Sequence, residues 1–439
     1  MLRIAALCLI ASTGIATADR LGADDLARKK EGGYVTGLPL FAYSVDFGVG
    51  LGARAYYYWN GTRDDERFAE TPYLHRVFLQ AFASTKGLQF HWLDYDGPRL
   101  ANTPYRPRGQ LVLARSTDAN YFGTVANAPL AFPGAPGTFA SYDDYVAAQE
   151  RAVAGTAYTK YDQLDVLRPS LIASLERSFL DGHIRVLAGV GFSYTKLHDY
   201  SGETVRAVDD TGAATTATEA PTRFREDCDA GRLVGCSGGR DNYVRLGFSY
   251  DTRDFEPDPN RGVFLDAELD VGTLALGSEY DYARIMAAAR GFWSPIPAYA
   301  DLVLAGRVFG LVQSEGTPFF SMNIIPFTED PRFGLGGHRT LRGFRQDRFV
   351  DHVMTAASAE IRWTFARTTV KHQKLAFILA PFVDVGRAFD DLGEVTLADW
   401  RPSTGAAFRM SWNLATLVTF DYGVSSESAG LYVNFGHMF

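Results

Sequence analysis

Apolar and polar residues alternate with a period of two along most of this chain. From Tyr243 to Tyr250, Val244, Leu246, Phe248 and Tyr250 share one face, and Tyr243, Arg245, Gly247 and Ser249 share the other. After a turn rich in Pro and Gly, Leu265, Ala267, Leu269 and Val271 repeat the apolar face, with Asp266, Glu268 and Asp270 opposite. Such alternation predicts strands with one face in an apolar medium and the other in water. Three inward carboxylates in a row do not suit a dry core, so the inner side is expected to be wet. Arg284 and Arg290 in the next run have the parity to face them as counter-charges. A soluble sheet with one solvated face would explain any single hairpin of this kind, but not a pattern that persists to the end. There, the sequence GLYVNFGHMF places Leu431, Val433, Phe435 and Phe439 on one face and Tyr432, Asn434 and Gly436 on the other. An edge this apolar suits a closed barrel, whose last strand pairs with its first.

Alternating runs separated by turn signals number about 16, which predicts an all-β fold: a transmembrane antiparallel β-barrel. An even count puts both ends of the barrel on the periplasmic side. The long connections near 119–163, 198–241 and 314–353 then fall outside the cell. The N-terminus predicts export, because a basic stretch (Met1–Arg3) and an apolar one (Ile4–Ile15) precede the small residues Ala16-Thr17-Ala18. The chain therefore divides into a signal peptide (1–18), a short periplasmic segment (19–33) and the barrel (34–439). No later stretch reaches the about 18 uncharged apolar residues of a spanning helix, so any crossing is made by strands.

Composition sharpens this picture. Although 46% of residues are hydrophobic, mean hydropathy is only −0.10, as expected when each strand shows lipid one face and water the other. A net charge of −8 with no basic run excludes nucleic acid as a partner. Cys228 and Cys236, eight positions apart in the second long connection, are expected to close a small disulfide. Metal binding is the weaker alternative, since neither a CxxC pair nor a neighbouring His is present. The eight histidines are scattered singly, and no Gly-x-Ser-x-Gly, His-Glu-x-x-His or P-loop occurs. No enzyme activity, catalytic residue, metal site or cofactor is expected. A barrel phospholipase with Ser and His on its outer wall is the one enzyme alternative, and nothing in the pattern points to it.

The third long connection carries PRFGLGGHRTLRGFRQDRF, residues 331–349. Its core, Gly336-Gly337 followed by Leu341-Arg342-Gly343-Phe344, resembles the lumen-inserted loop motif of the BamA/TamA-like outer-membrane assembly superfamily, also called the bacterial surface antigen family. Glu360-Ile361-Arg362 in the next strand and Phe382-Val383-Asp384-Val385-Gly386 in the strand after it match flanking motifs of that family. Asp251-Thr252-Arg253-Asp254 with Arg261-Gly262 resembles its strand-turn-strand signature. Parity turns Glu360, Arg362 and Asp384 inward and Ile361, Trp363 and Phe365 toward lipid. A loop folded into the lumen can then bring the Arg342 guanidinium to two carboxylates on adjacent strands. The other reading of Arg342, as one of several exposed loop arginines, requires three motifs to coincide in order by chance.

The resemblance implies an integral outer-membrane barrel that aids insertion or transport of outer-membrane proteins or lipids through a lateral seam. It also implies that Tyr432, Phe435, Gly436 and Phe439 form a C-terminal assembly signal. Family members carry POTRA modules ahead of the barrel. Here only the 19–33 segment separates the signal from the first strand, so substrate capture by such modules is not carried over. A passive channel or structural surface barrel is the alternative function. Expected partners of a monomeric barrel are outer-membrane lipids and lipopolysaccharide, together with nascent outer-membrane proteins or periplasmic partner proteins.

Overall fold

The computed structural model describes residues 29–439, apart from 66, 72, 125–127, 257, 298, 300, 330–331, 371–372 and 413–415. The signal peptide expected at 1–18 and most of the 19–33 segment lie outside the described residues. Sixteen antiparallel strands close into one barrel. In chain order they are β1 (Gly33–Ser44), β2 (Gly48–Trp59), β3 (His75–Ser84), β4 (Leu88–Asp96), β5 (Tyr105–Asn120), β6 (Gln163–Phe179), β7 (Ile184–His198) and β8 (Gly239–Asp251). There follow β9 (Gly262–Gly272), β10 (Tyr282–Trp293), β11 (Leu302–Gln313), β12 (Val353–Val370), β13 (Gln373–Phe389), β14 (Arg401–Trp412), β15 (Thr416–Ser425) and β16 (Ala429–Phe435). Among the described residues, no helix is long and apolar enough to cross a membrane.

Alternation fixes which face of each strand is wrapped by lipid. Leu246, Phe248, Ile361, Trp363, Phe365 and Val383 are exposed on the outside, while Arg245, Glu360, Arg362 and Asp384 are buried inside. Register sets the ion pairs, with Asp270 opposite both Arg245 on β8 and Arg284 on β10. The Arg245 Nε lies 2.7 Å from Glu268 and 2.8 Å from Asp270, and an Arg284 nitrogen lies 2.8 Å from Asp270. The expected wet wall needs correction here, because Glu268, Asp270 and Arg284 are buried beneath the third long connection. Opposite charges at matched register make that enclosure tolerable. The wall is not uniformly polar either, since Leu40, Ala42, Phe78 and Phe82 turn inward on β1 and β3.

The first two long connections build a cap at the end of the barrel expected to face outward. Thr156–Ala157, Thr204–Val208 and Ala214–Glu219 form a three-stranded sheet. Beside it, a helix over Tyr142–Gln149 buries Tyr142 and Tyr145 among Phe122, Phe132 and Tyr161. A second helix, Arg223–Asp229, starts at Thr222, whose hydroxyl accepts the Arg225 N–H and satisfies an open helix end. It leads into the Cys228–Cys236 disulfide, with Cα atoms 5.9 Å apart. The topology gives a direct expectation. In intact cells, a Cys introduced at the exposed Ala213 reacts with an impermeant thiol reagent. A Cys at Asn260, in the turn between β8 and β9, reacts only after the outer membrane is permeabilised, and the opposite pattern would mean an inverted barrel.

Candidate functional site: the inserted loop and the barrel seam

The connection between β11 and β12 begins under the cap, where Phe319, Phe320 and Met322 pack with Tyr121, Leu164 and Phe224, and then descends into the lumen. Leu335, Leu341, Phe344 and Phe349 are fully buried against inward Met286, Phe309, Leu311 and Met354 of β10–β12. Burying several large apolar side chains at about 1.5–3 kcal/mol each gives the loop a strong reason to dock. Gly336 and Gly337 turn the chain with φ of 125° and 73°. The Gly337 N–H donates to the Phe344 carbonyl at 3.0 Å, closing a hairpin that presents Arg342 at its tip.

Arg342 is completely buried. Its Nε and Nη2 fork onto Asp384 of β13 at 2.8 and 3.0 Å, and its Nη1 reaches Glu360 of β12 at 2.8 Å and Asp421 of β15 at 3.2 Å. The guanidinium lies 3.3 Å from the ring centroid of Phe382. Burial alone would lower the Arg342 pKa, but Asp384 and Glu360 lift it above the ordinary arginine value, so the group stays charged. Glu360 also accepts from Arg362 at 2.9 Å and from Arg409 of β14 at 2.7 and 2.8 Å. Three arginines thus meet three carboxylates, and the buried cluster is neutral overall. Gly386, the end of the second flanking motif, lies beside Leu335 of the loop.

The loop also holds the last strand. Gly343, at φ 92°, donates its N–H to the Tyr432 hydroxyl on β16 at 3.1 Å. Its carbonyl accepts from Ser425 at 3.0 Å and from Ser428 at 2.7 Å. A side chain at Gly343 would meet the Val424 backbone at 2.9 Å, and one at Gly423 would meet the Gly343 nitrogen at 2.8 Å. Two glycines face each other here because the backbones must touch. Asp421, Arg409, Tyr432 and the two serines extend the predicted trio. Asp421 was findable from the alternation Thr419, Phe420, Asp421, Tyr422, which turns it inward; the serines carry no such signal.

The seam joining β16 to β1 is short. Only Tyr43 with Val433 and Ser44 with Tyr432 pair across it, whereas twelve pairs join β1 to β2 and seven join β15 to β16. The described β16 stops at Phe435, and the strand expected to run to Phe439 is broken by Gly436 at φ 85°. Phe435 has swung toward the interior, where the Arg54 guanidinium lies 5.1 Å from its ring and Leu40 and Phe82 pack nearby. Phe439 is not on the lipid face as alternation predicted. It is buried with Met438 against Phe292, Val303 and Ala305, and its backbone oxygen accepts from Arg362 at 3.0 Å. Polar anchoring overrides the period: buried His437 lies 2.8 Å from both Arg409 and Asp258, and draws the tail inward.

A sequence profile of the Omp85 superfamily domain matches residues 151–439. The chain belongs to the Omp85 superfamily. A profile of a domain of unknown function, DUF5982, matches residues 11–74. Among curated proteins, no match is found. BamA from Haemophilus ducreyi lacking POTRA domains 1–3 superposes with a TM-score of 0.55 at 12% identity, over 93% of this chain and 70% of that one. CdiB from Escherichia coli gives a TM-score of 0.51 at 10% identity, over 91% of this chain and 62% of that one. At such identities the likeness is one of fold. The protein is an integral outer-membrane barrel of the Omp85 superfamily.

Proposed function

We propose that this Omp85 barrel inserts or translocates outer-membrane components, polypeptide or lipid, through the seam between β1 and β16. The two-pair seam is the observation that carries the proposal. It leaves the backbone N–H and C=O groups of β1 from Gly33 to Ala42 without a ladder partner on β16, and an unpaired edge is a template for a further strand. The tie from Gly343 to Tyr432 supports the same reading, because it lets the docked loop set the position of the last strand. In this reading Tyr432, Phe435, Gly436 and Phe439 serve as the assembly signal of the barrel itself. Lipid and lipopolysaccharide surround a monomeric wall, and nascent outer-membrane proteins are the clients. A loop-filled lumen disfavours the passive-channel alternative, so planar-bilayer recordings are expected to lack large, steady, ion-selective currents.

The test is a lock. Partners facing each other in an antiparallel pair have Cα atoms about 4.5–5.5 Å apart, within reach of a disulfide. Tyr43→Cys with Val433→Cys is expected to close the seam. Proteoliposomes of the wild type should accelerate insertion of a urea-unfolded small barrel protein several-fold, the oxidised double variant should not, and reductant should restore the effect. Equal acceleration by the oxidised variant would rule out the seam as the route.

A further inference from the structure

A cavity of about 240 Å³ lies directly behind the unpaired part of the seam, lined by Leu40 and Ala42 of β1, Phe82 of β3, Phe90 and Trp92 of β4, and Phe435 of β16. It continues along Phe47, Leu88 and the loop residue Phe333 into a second space of about 340 Å³ that reaches Asn120 and Tyr121 near the extracellular end. Volumes of this order enclose small amphiphilic ligands. The third loop covers the apolar inner wall of β10–β12 but leaves that of β1, β3 and β4 facing this space. Tyr43 is the last residue of β1 paired across the seam in the direction of the periplasm, so Ala42 and Leu40 stand where wall pairing ends and the cavity begins.

Trp92 and Asn434, which line the cavity, each hold a buried N–H donor, Nε1 and Nδ2, that has no acceptor. A buried donor without a partner is costly. Arg54, Gln80, His338, Arg339 and Gln346 also line the cavity and can hold water or a polar headgroup, but the stretch along Leu40, Ala42, Phe82 and Phe90 offers water few polar partners. An inserted peptide fits poorly too, since it would bring a donor and an acceptor at every residue into that wall. A lipid supplies what is needed: a hydrocarbon chain for the apolar wall and ester oxygens for the two donors. A chain moving from the bilayer into the cavity also exchanges one apolar medium for another without exposure to water.

We propose that this cavity holds an acyl chain of a membrane phospholipid, entering laterally through the gap between β1 and β16. The inference rests on the open seam and not on the assembly activity proposed above, so either can fail without the other. The chain has six tryptophans, which permits a direct test on the full-length protein. Two forms are reconstituted into vesicles of phosphatidylcholine brominated along its acyl chains, one retaining only Trp92 and one only the lipid-facing Trp363, with Phe at the other five positions. Quenching of Trp92 should approach that of Trp363. Leu40→Asp and Phe90→Asp, each placed in the Trp92 form and checked for folding by heat-modifiable gel mobility, should reduce Trp92 quenching several-fold. The same changes in the Trp363 form should leave its quenching intact. Native mass spectrometry of the folded Trp92 form should find a retained brominated lipid that is lost in both variants. An unquenched Trp92 beside a quenched Trp363, quenching undiminished in both variants, or a peptide adduct in place of the lipid would each overturn the proposal.

Discussion

Arg342→Ala is expected to release the inserted loop. Removing one member of a fully buried ion-paired cluster costs about 3–5 kcal/mol, because the partners left behind remain charged and desolvated. The cost falls unevenly among those partners. Glu360 keeps Arg362 and Arg409 at 2.7–2.9 Å. Asp384 loses the fork that held both its oxygens. Asp384→Asn should therefore be strongly coupled to Arg342→Ala, so that the double variant is milder than the sum of the single ones. Glu360→Gln should couple to it more weakly. Arg342→Lys should rescue little, since an ammonium cannot fork onto Asp384 while reaching Glu360 and lying over Phe382. Protease cleavage near Gln346, which the docked loop shields, reports release. Additive effects of Arg342→Ala and Asp384→Asn, or an uncut loop in Arg342→Ala, would show that this contact does not hold the loop.

The barrel and the Arg342 trio were legible because both follow from a period of two. Once Ile361 and Trp363 face lipid, Glu360 and Arg362 face inward, and the family motif supplies the loop that meets them. Asp421 obeyed the same rule and could have been read from it. What alternation could not supply was the tail. His437 stood on the apolar face as a polar residue, and it marks where the strand breaks: one buried imidazole between Arg409 and Asp258 accompanies the inward turn of Phe435 and Phe439, two residues that the pattern assigned to lipid. The family motif placed the loop in the lumen, but the dryness of the wall beneath it was illegible for a related reason. Inward carboxylates signal only that their surroundings are polar, and a loop carrying arginines meets that requirement as well as water does.

Phe439→Ala is expected to destabilise the barrel itself, in addition to any effect on assembly. Were the ring on the lipid face, truncation would exchange one apolar surface for another and cost little. Instead it packs on Phe292, Val303 and Ala305, with the guanidinium carbons of Arg307 and Arg362 at 5.1 and 5.2 Å from its centroid. Truncating a buried Phe typically costs about 3–5 kcal/mol, and the two cations lose a ring that each could value at about 0.5–2 kcal/mol. Refolding into detergent separates the two roles, because no assembly machinery takes part. In that setting Phe439→Ala should lower the temperature at which the barrel loses its heat-modifiable mobility, and Phe439→Leu, which keeps most of the volume but not the ring, should fall between. A lipid-facing Val383→Ala serves as the control and should shift it far less. If Phe439→Ala instead melts like the wild type in detergent yet fails to reach the outer membrane in cells, the terminal residue is a recognition signal alone, and its place against Phe292 contributes nothing measurable to stability.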